Sequence, residues 1–171
     1  MLDCFFSCSF CFTCAMLISL QELAVFEKMP NAVKITQETL EKDGFESQPP
    51  LWKAFVAEVK EKDTHKNDGK LRLVGYALYF EFYSLLRGRA LWLRDLYVEE
   101  SWRQQKVGQT LIKSVVKAGV DMNCAQADWF VLSWNPARHF YEKLGAINIT
   151  EKEDWHVYRL NKDTMAQICS K

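Results

Sequence analysis

Two stretches of the chain place side chains and backbone where binding or catalytic groups could act. In LYVEESWRQQKVGQTLI a strand pattern ends at Val98, a polar loop follows, and a helical pattern opens near Gly108. The first backbone N–H groups of a helix lack internal partners and sit at its positive end, so such a junction can hold a phosphate or pyrophosphate. Arg103 and Lys106 add positive charge there. An ordinary solvated strand-to-helix loop reads the same way, and a Gly-containing loop alone does not separate the two. In SWNPARHFYEKLGA, Asn135 follows an apolar run and precedes a helical pattern, where a side chain can meet a ligand at a strand's end. Tyr141 falls one turn into that helix beside Phe140. A phenol so placed either packs in a core or donates a proton, since its unperturbed pKa of about 10 keeps it protonated at neutral pH.

The cysteines invite a third chemistry. Four of the six, Cys4, Cys8, Cys11 and Cys14, lie in the first fourteen residues, while Cys124 and Cys169 stand far away. Such spacing can mark a metal site. Here, however, the gaps hold Phe, Ser and Leu and no Gly or Pro turn to close a cage, so no metal is expected. The 17 residues from Cys4 to Leu20 are uncharged, which is the lower limit for a membrane-spanning helix. Asp3 stands where a signal peptide would be basic, and no small-residue cleavage site follows. The run passes directly into QELAVFEKM, an amphipathic pattern with Leu20, Leu23, Ala24 and Phe26 opposite Gln21, Glu22 and Lys28. These features argue against membrane insertion, and scattered cysteines fit a reducing, cytoplasmic compartment.

The elements that must position these groups belong to an ordinary folded chain. Its 171 residues are 49% hydrophobic and 26% charged, which suits one domain, or one domain plus a tail, and excludes disorder, collagen and coiled coil. Lys+Arg and Asp+Glu both number 22, so the excess cation that drives nucleic-acid or anionic-membrane binding is missing. After the first helix, ITQETLEKDGF reads as a short helix stopped by Gly44. Leu51 to Val59 reads as a strand, Lys60 to Lys70 as a polar connector closed by Asp68-Gly69, and LRLVGYALYFEF as a longer strand. A turn at Gly88 leads to RALWLRDLYV, giving an antiparallel meander. Gly108 to Asp121 has helical spacing, Ala127 to Ser133 reads as a strand buried on both faces, and a helix follows from Pro136 to a stop at Gly145. Trp155 to Leu160 reads as a final strand. The class is α/β in mixed layers.

Together the two junctions resemble the GNAT acetyltransferases, whose loop signature Arg/Gln-x-x-Gly-x-Gly/Ala stands here as Arg103-Gln104-Gln105-Lys106-Val107-Gly108. The closer likeness is to the spermidine/spermine (diamine) N-acetyltransferases, including a branch acting on thialysine. It is carried by LQELAVFEKM, EKDGF, FVAEV, VGYALYF, LWLRDLYV, WNPARHFYEKLGA and Trp155. The resemblance implies a GNAT fold with a mixed central sheet over residues 17–171, behind an atypical Cys/Phe-rich segment at 1–16 that takes the place of the family's first strand. It implies acetyl-CoA as cosubstrate, a small amine as acceptor, direct attack in a ternary complex, and a homodimer. The backbone of Leu96, Tyr97 and Val98 would bond the pantetheine arm, and Arg103 and Gln104 through Gln109, with Gln105, Lys106, Val107 and Gly108 between, would cradle the pyrophosphate. Asn135, with Pro136 and Ala137, would meet the pantetheine or the reacting end, and Tyr141 would protonate the departing thiolate. Asp95 keeps one of the carboxylates that help the amine lose its proton. Phe26, Glu27, Arg94, Asp128, Trp129, Phe130, Glu153 and Trp155 match substrate-side positions.

Departures from the family pattern set further expectations. Arg94 stands where the family has Glu. Two unit charges 4 Å apart interact by about 4 kcal/mol at an effective dielectric of 20, so long polyamines are disfavoured as acceptors. Ser84, Leu85 and Leu86 replace the family's acidic Asp-Pro-Trp turn. Lys106 replaces the middle Gly, and a Cβ there costs roughly 1–2 kcal/mol if the position is left-handed. An alternative class therefore stands beside the enzyme: a GNAT-fold module that binds CoA or a partner protein without efficient turnover.

Overall fold

The structure, a computed structural model, describes residues 9–60 and 71–170, with the side chains of 9–11 excepted. Cys4, Cys8, the Cys11 side chain and the connector carrying Asp68-Gly69 lie outside the described residues. Two compact units divide the chain, the first ending at Phe130 and the second beginning at Val131.

The first unit is a four-stranded sheet in the order β1-β2-β3-β4, formed by Lys53–Lys60, Leu71–Ser84, Gly88–Val98 and Gln126–Asp128. The first three strands form the expected antiparallel meander. β4 joins β3 in parallel, and only over Ala90 to Trp92. Helices α1 (Ser9–Phe26), α2 (Gln37–Glu41) and α3 (Val107–Asp121) complete this unit.

Alternation along β2 assigns the helices to faces. Tyr76 and Leu78 cluster with Met16 of α1, Leu40 of α2, Trp52 and Val56. Gly75 faces the other way, where a Cβ would meet Leu111 and Val107 of α3. Helix α1 runs unbroken through residues 16 and 17, burying Thr13, Met16, Ser19 and Ala24. The Thr13 hydroxyl donates to Glu41 at 2.7 Å, tying α1 to α2. No helix among the described residues is long and apolar enough to cross a membrane.

Gly44 has a different role from the helix stop expected of it. It lies within a π-helical turn at Lys42–Glu46, and a Cβ there would sit 2.2 Å from the Trp52 ring. A close approach, not chain reversal, requires glycine at this position.

The second unit contains α4 (Ala137–Lys143), α5 (Ile149–Glu153) and α6 (Lys162–Cys169). Gly145, at φ +92°, ends α4 as expected; the Ala146 N–H donates to the Tyr141 carbonyl and the Gly145 N–H to that of Glu142. Two expected strands are corrected. Ala127 to Ser133 forms a ladder only as far as Asp128, and Phe130 and Trp134 are exposed. Trp155 to Leu160 forms no strand, leaving Trp155, Val157, Tyr158 and Leu160 exposed. β-propensity requires a paired neighbour to express itself, and among the described residues neither the stretch after Asp128 nor Trp155 to Leu160 has one. Helices α5 and α6 fell in stretches that sequence periodicity did not mark.

Met16 is 1% exposed within the α1 core. Met16→Ala is expected to lower unfolding free energy by about 2–5 kcal/mol in urea titrations, and a change under half a kilocalorie would show that this part of α1 does not pack on the sheet.

Candidate active site

The loop from β3 to α3 is built from unusual backbone. A 3-10 turn at Glu100–Trp102 leads to Gln104 at φ 62° and Lys106 at φ 65°, both left-handed without being glycine. Arg103 ties the loop down: its Nε donates to the Val98 carbonyl at 3.0 Å, and its guanidinium lies 5.2 Å from the Phe26 ring centre. The Gln105 amide donates to the Ser101 carbonyl at 3.0 Å. Lys106 precedes α3 without any side-chain cap, so the N–H groups of Val107, Gly108 and Gln109 have no helical partner. Beside them, Leu93 to Val98 of β3 have a strand neighbour only on the β2 side among the described residues. Unpartnered donors at a helix start and an open strand edge fit an anionic ligand with an extended amide-bearing arm, as coenzyme A has.

A second group of side chains forms on the α1 face of the same unit. The β2–β3 pairing slips between Leu78/Asp95 and Tyr79/Leu93, leaving Arg94 as an extra, bulged residue. Past this bulge Asp95 and Tyr97 stand on the face of Leu78 and Tyr76, and the Tyr76 and Tyr97 rings stack at 5.9 Å. The Tyr97 hydroxyl donates to Glu22 of α1. Arg94 Nη1 lies 3.5 Å from Asp95 Oδ1.

Electrostatics single out the two carboxyls here. Burial holds Asp95 above the usual carboxylate range, with Arg94 partly offsetting it. Glu27, just after α1, is also raised, first by burial and then by the charge of Asp95, with Arg94 again opposing. Burial, followed by the hydrogen bond to Glu22, pushes the Tyr97 phenol up. Groups whose charged forms are disfavoured in this way suit proton transfer or the receipt of a cation.

The remaining expected residues are placed elsewhere. Asp128 is on β4, opposite Trp92, and accepts a hydrogen bond from Gln126 at 2.5 Å, not from the Asp95 group. Phe130 packs edge-on against Trp92 at 4.7 Å, with Trp129 preceding it. In the second unit, Asn135 Oδ1 accepts the Ala137 N–H at 2.9 Å, fixing the start of α4 around Pro136. Tyr141 is half-buried on α4, with its ring 5.3 Å from Phe140. The exposed Trp155 indole donates to Glu153 at 2.9 Å. Among the described residues no three His, Cys, Asp or Glu side chains are grouped to hold a metal. Sequence reasoning missed Glu22, Tyr76 and the Tyr97 side chain as members of the Asp95 group. The signal was available in α1, where Glu22 and Phe26 are one turn apart.

The family relationship is direct. The acetyltransferase (GNAT) family model matches residues 20–146. The chain belongs to the GNAT acetyltransferase family. This GNAT chain is 37% identical over 153 residues to the thialysine N-epsilon-acetyltransferase of Bos taurus, covering 89% of this chain and 88% of that protein. It is 32% identical over 150 residues to the spermidine/spermine N(1)-acetyltransferase-like protein 1 of Homo sapiens, covering 87% of this chain and 21% of that protein. A solved integron cassette protein from the mobile metagenome of V. cholerae aligns with a TM-score of 0.65 at 21% identity, covering 92% of this chain and 91% of that one. The α/β GNAT fold is thus established, and the chain is an N-acetyltransferase by family.

Two outcomes follow from the geometry. A left-handed Lys carries a steric cost of roughly 1–2 kcal/mol, partly offset by the greater entropy that Gly loses on folding. Lys106→Gly is therefore expected to stabilise the GNAT fold by up to about 1 kcal/mol in urea unfolding, whereas destabilisation would refute the strain. For Asp95, the folded-state pKa exceeds the unfolded one, so its contribution to stability is full below about pH 3.9 and is lost as pH rises through the folded value. Asp95→Asn should gain stability relative to the unsubstituted protein between about pH 4 and pH 7. Parallel unfolding midpoints across that range would contradict this.

Proposed function

We propose that the protein transfers the acetyl group of acetyl-CoA to the nitrogen of a small primary amine, by direct attack within a ternary complex. The observation that carries this reading is the uncapped start of α3, entered through left-handed Lys106 beside the open edge of β3. The N–H groups of Val107, Gly108 and Gln109 would receive the pyrophosphate, with Gln104, Gln105 and Lys106 shaping the loop. Leu96, Tyr97 and Val98 would offer backbone groups to the pantetheine arm. Arg103 is assigned to holding the loop, because its Nε is engaged by Val98.

On the acceptor side, Asp95 and Glu27 would take the proton of the incoming ammonium, directly or through water. The freed lone pair forms the C–N bond at the thioester carbonyl carbon and the C–S bond breaks. Sulfur leaves with its electron pair and takes the Tyr141 hydroxyl proton; the surplus proton on nitrogen passes to solvent, which reprotonates Tyr141. Asn135 would orient the reacting end through its amide NH2, since its oxygen already accepts the Ala137 N–H. Similarity to a thialysine acetyltransferase supports an amino-acid-like amine, although monoamines and diamines belong to the same reading. The resemblance also supports a cytoplasmic homodimer with residues 17–171 acting as one domain, for which the exposed apolar side chains at Trp155 to Leu160 offer surface.

The test is CoA release from acetyl-CoA against thialysine, a monoamine, putrescine and spermidine. Turnover is expected with at least one, and Tyr141→Phe should lower kcat by about 10²–10⁴ while acetyl-CoA affinity is kept. Lys106→Gly should bind acetyl-CoA more tightly. Acetyl-CoA binding without transfer to any amine would instead assign the chain to the non-catalytic class.

A further inference from the structure

The acceptor-side group contains a cation whose partners are incomplete. Arg94 is the extra residue of the β3 bulge, its side chain is 55% exposed, and its ion pair to Asp95 spans 3.5 Å. A charge-assisted N–H···O bond is normally about 2.7–2.9 Å, so this contact leaves the planar five-donor fork largely available. That fork matches a carboxylate in bidentate fashion, which an ammonium cannot do.

Tyr76 provides a second, independent observation. Its side chain is 0% exposed, and its hydroxyl has no hydrogen-bond partner among the described residues. Buried hydroxyls are nearly always satisfied. This one stands on the face shared by Asp95 and Tyr97, and the charges of Asp95, Arg94 and Glu27 all act on it. The buried hydroxyl and the loosely paired guanidinium are thus two polar groups of this cluster with hydrogen-bonding capacity to spare.

We propose that Arg94 receives the carboxylate of an amino-acid acceptor, which makes it the residue that sets this chain's preference for an amino acid bearing a side-chain primary amine over a diamine or polyamine. The assignment rests on the acetyltransferase reading above. Asp95 and Glu27 provide negative charge for the amine end, and Arg94, ion-paired to Asp95, provides positive charge beside them. The α-carboxylate of an amino acid can pair with Arg94 and offset the neighbouring α-ammonium, whereas the second cation of a diamine would meet Arg94 with no counter-charge.

Matched pairs differing only in the carboxylate test this: lysine against 1,5-diaminopentane, and ornithine against putrescine. Each is assayed for CoA release with the unsubstituted protein, Arg94→Gln and Arg94→Glu, after thermal melting confirms that each is folded. The unsubstituted protein is expected to favour the amino acid of each pair by about tenfold or more in kcat/KM. Arg94→Gln should erase that preference chiefly by raising KM for the amino acid, and Arg94→Glu should invert it. If Arg94→Glu does not fold, Arg94→Gln decides, being neutral and half-exposed. Turnover with equal preference within each pair, or a preference that Arg94→Gln leaves in place, overturns the carboxylate assignment alone. No turnover with any amine in any of the three proteins overturns the acetyltransferase reading and this assignment together.

Discussion

Side chains alternate along a strand, so Leu91, Leu93, Asp95 and Tyr97 would all share one face of β3 if its pairing with β2 were regular. The insertion of Arg94 divides them. Before the bulge, Leu91 packs against Gly119 of α3; after it, Tyr97 reaches Glu22 of α1. One additional residue therefore transfers Asp95 from a face filled with aliphatic packing to the face that carries Glu22, Glu27 and Tyr76. The bulge also explains why Arg94 has a half-exposed side chain next to buried Leu93 in the sheet. Bulges recur beside functional sites because they re-aim side chains without ending the strand, and here the grouping of Asp95 with Tyr97 and Tyr76 depends on that re-aiming.

The other end of β3 meets a different demand. Past Val98 the chain must reverse into α3 within a short loop, and it does so with two left-handed non-glycine residues, Gln104 and Lys106. Arg103 makes this tolerable by fastening the loop to both β3 and α1. The strain persists because the surrounding contacts over-determine the backbone. A loop held in this way presents its amides before any ligand arrives, which reduces the ordering that binding would otherwise require.

Much of this was legible in the sequence. Alternation and turn residues marked the meander, helical spacing marked α3 almost to the residue, and Gly145 marked the end of α4. The loop signature located the left-handed position even though Lys106 replaces glycine. The bulge was not legible, because ALWLRDLYV is apolar at most positions and carries no Gly to flag an extra residue. For the same reason the partners of Asp95 could not be found by spacing: Glu22 and Tyr76 come from an earlier helix and an antiparallel neighbour. The late strands are shorter than composition suggests or do not form, since a run such as WFVLS has the composition of a strand wherever it lies, while a ladder depends on what lies beside it.

Helix α1 has a consequence for how changes at a distance are felt. It is one rod from Ser9 to Phe26, pinned near its start by Thr13 to Glu41 and bearing Glu22 near its end. At about 1.5 Å per residue, those two points are roughly 13 Å apart along a stiff axis. A rotation or slide introduced at the pinned end is carried along the rod to Glu22 and, through Tyr97, to the strand that holds Asp95. Helix α1 thus acts as an alignment arm for the carboxylate group as well as a cover for the core.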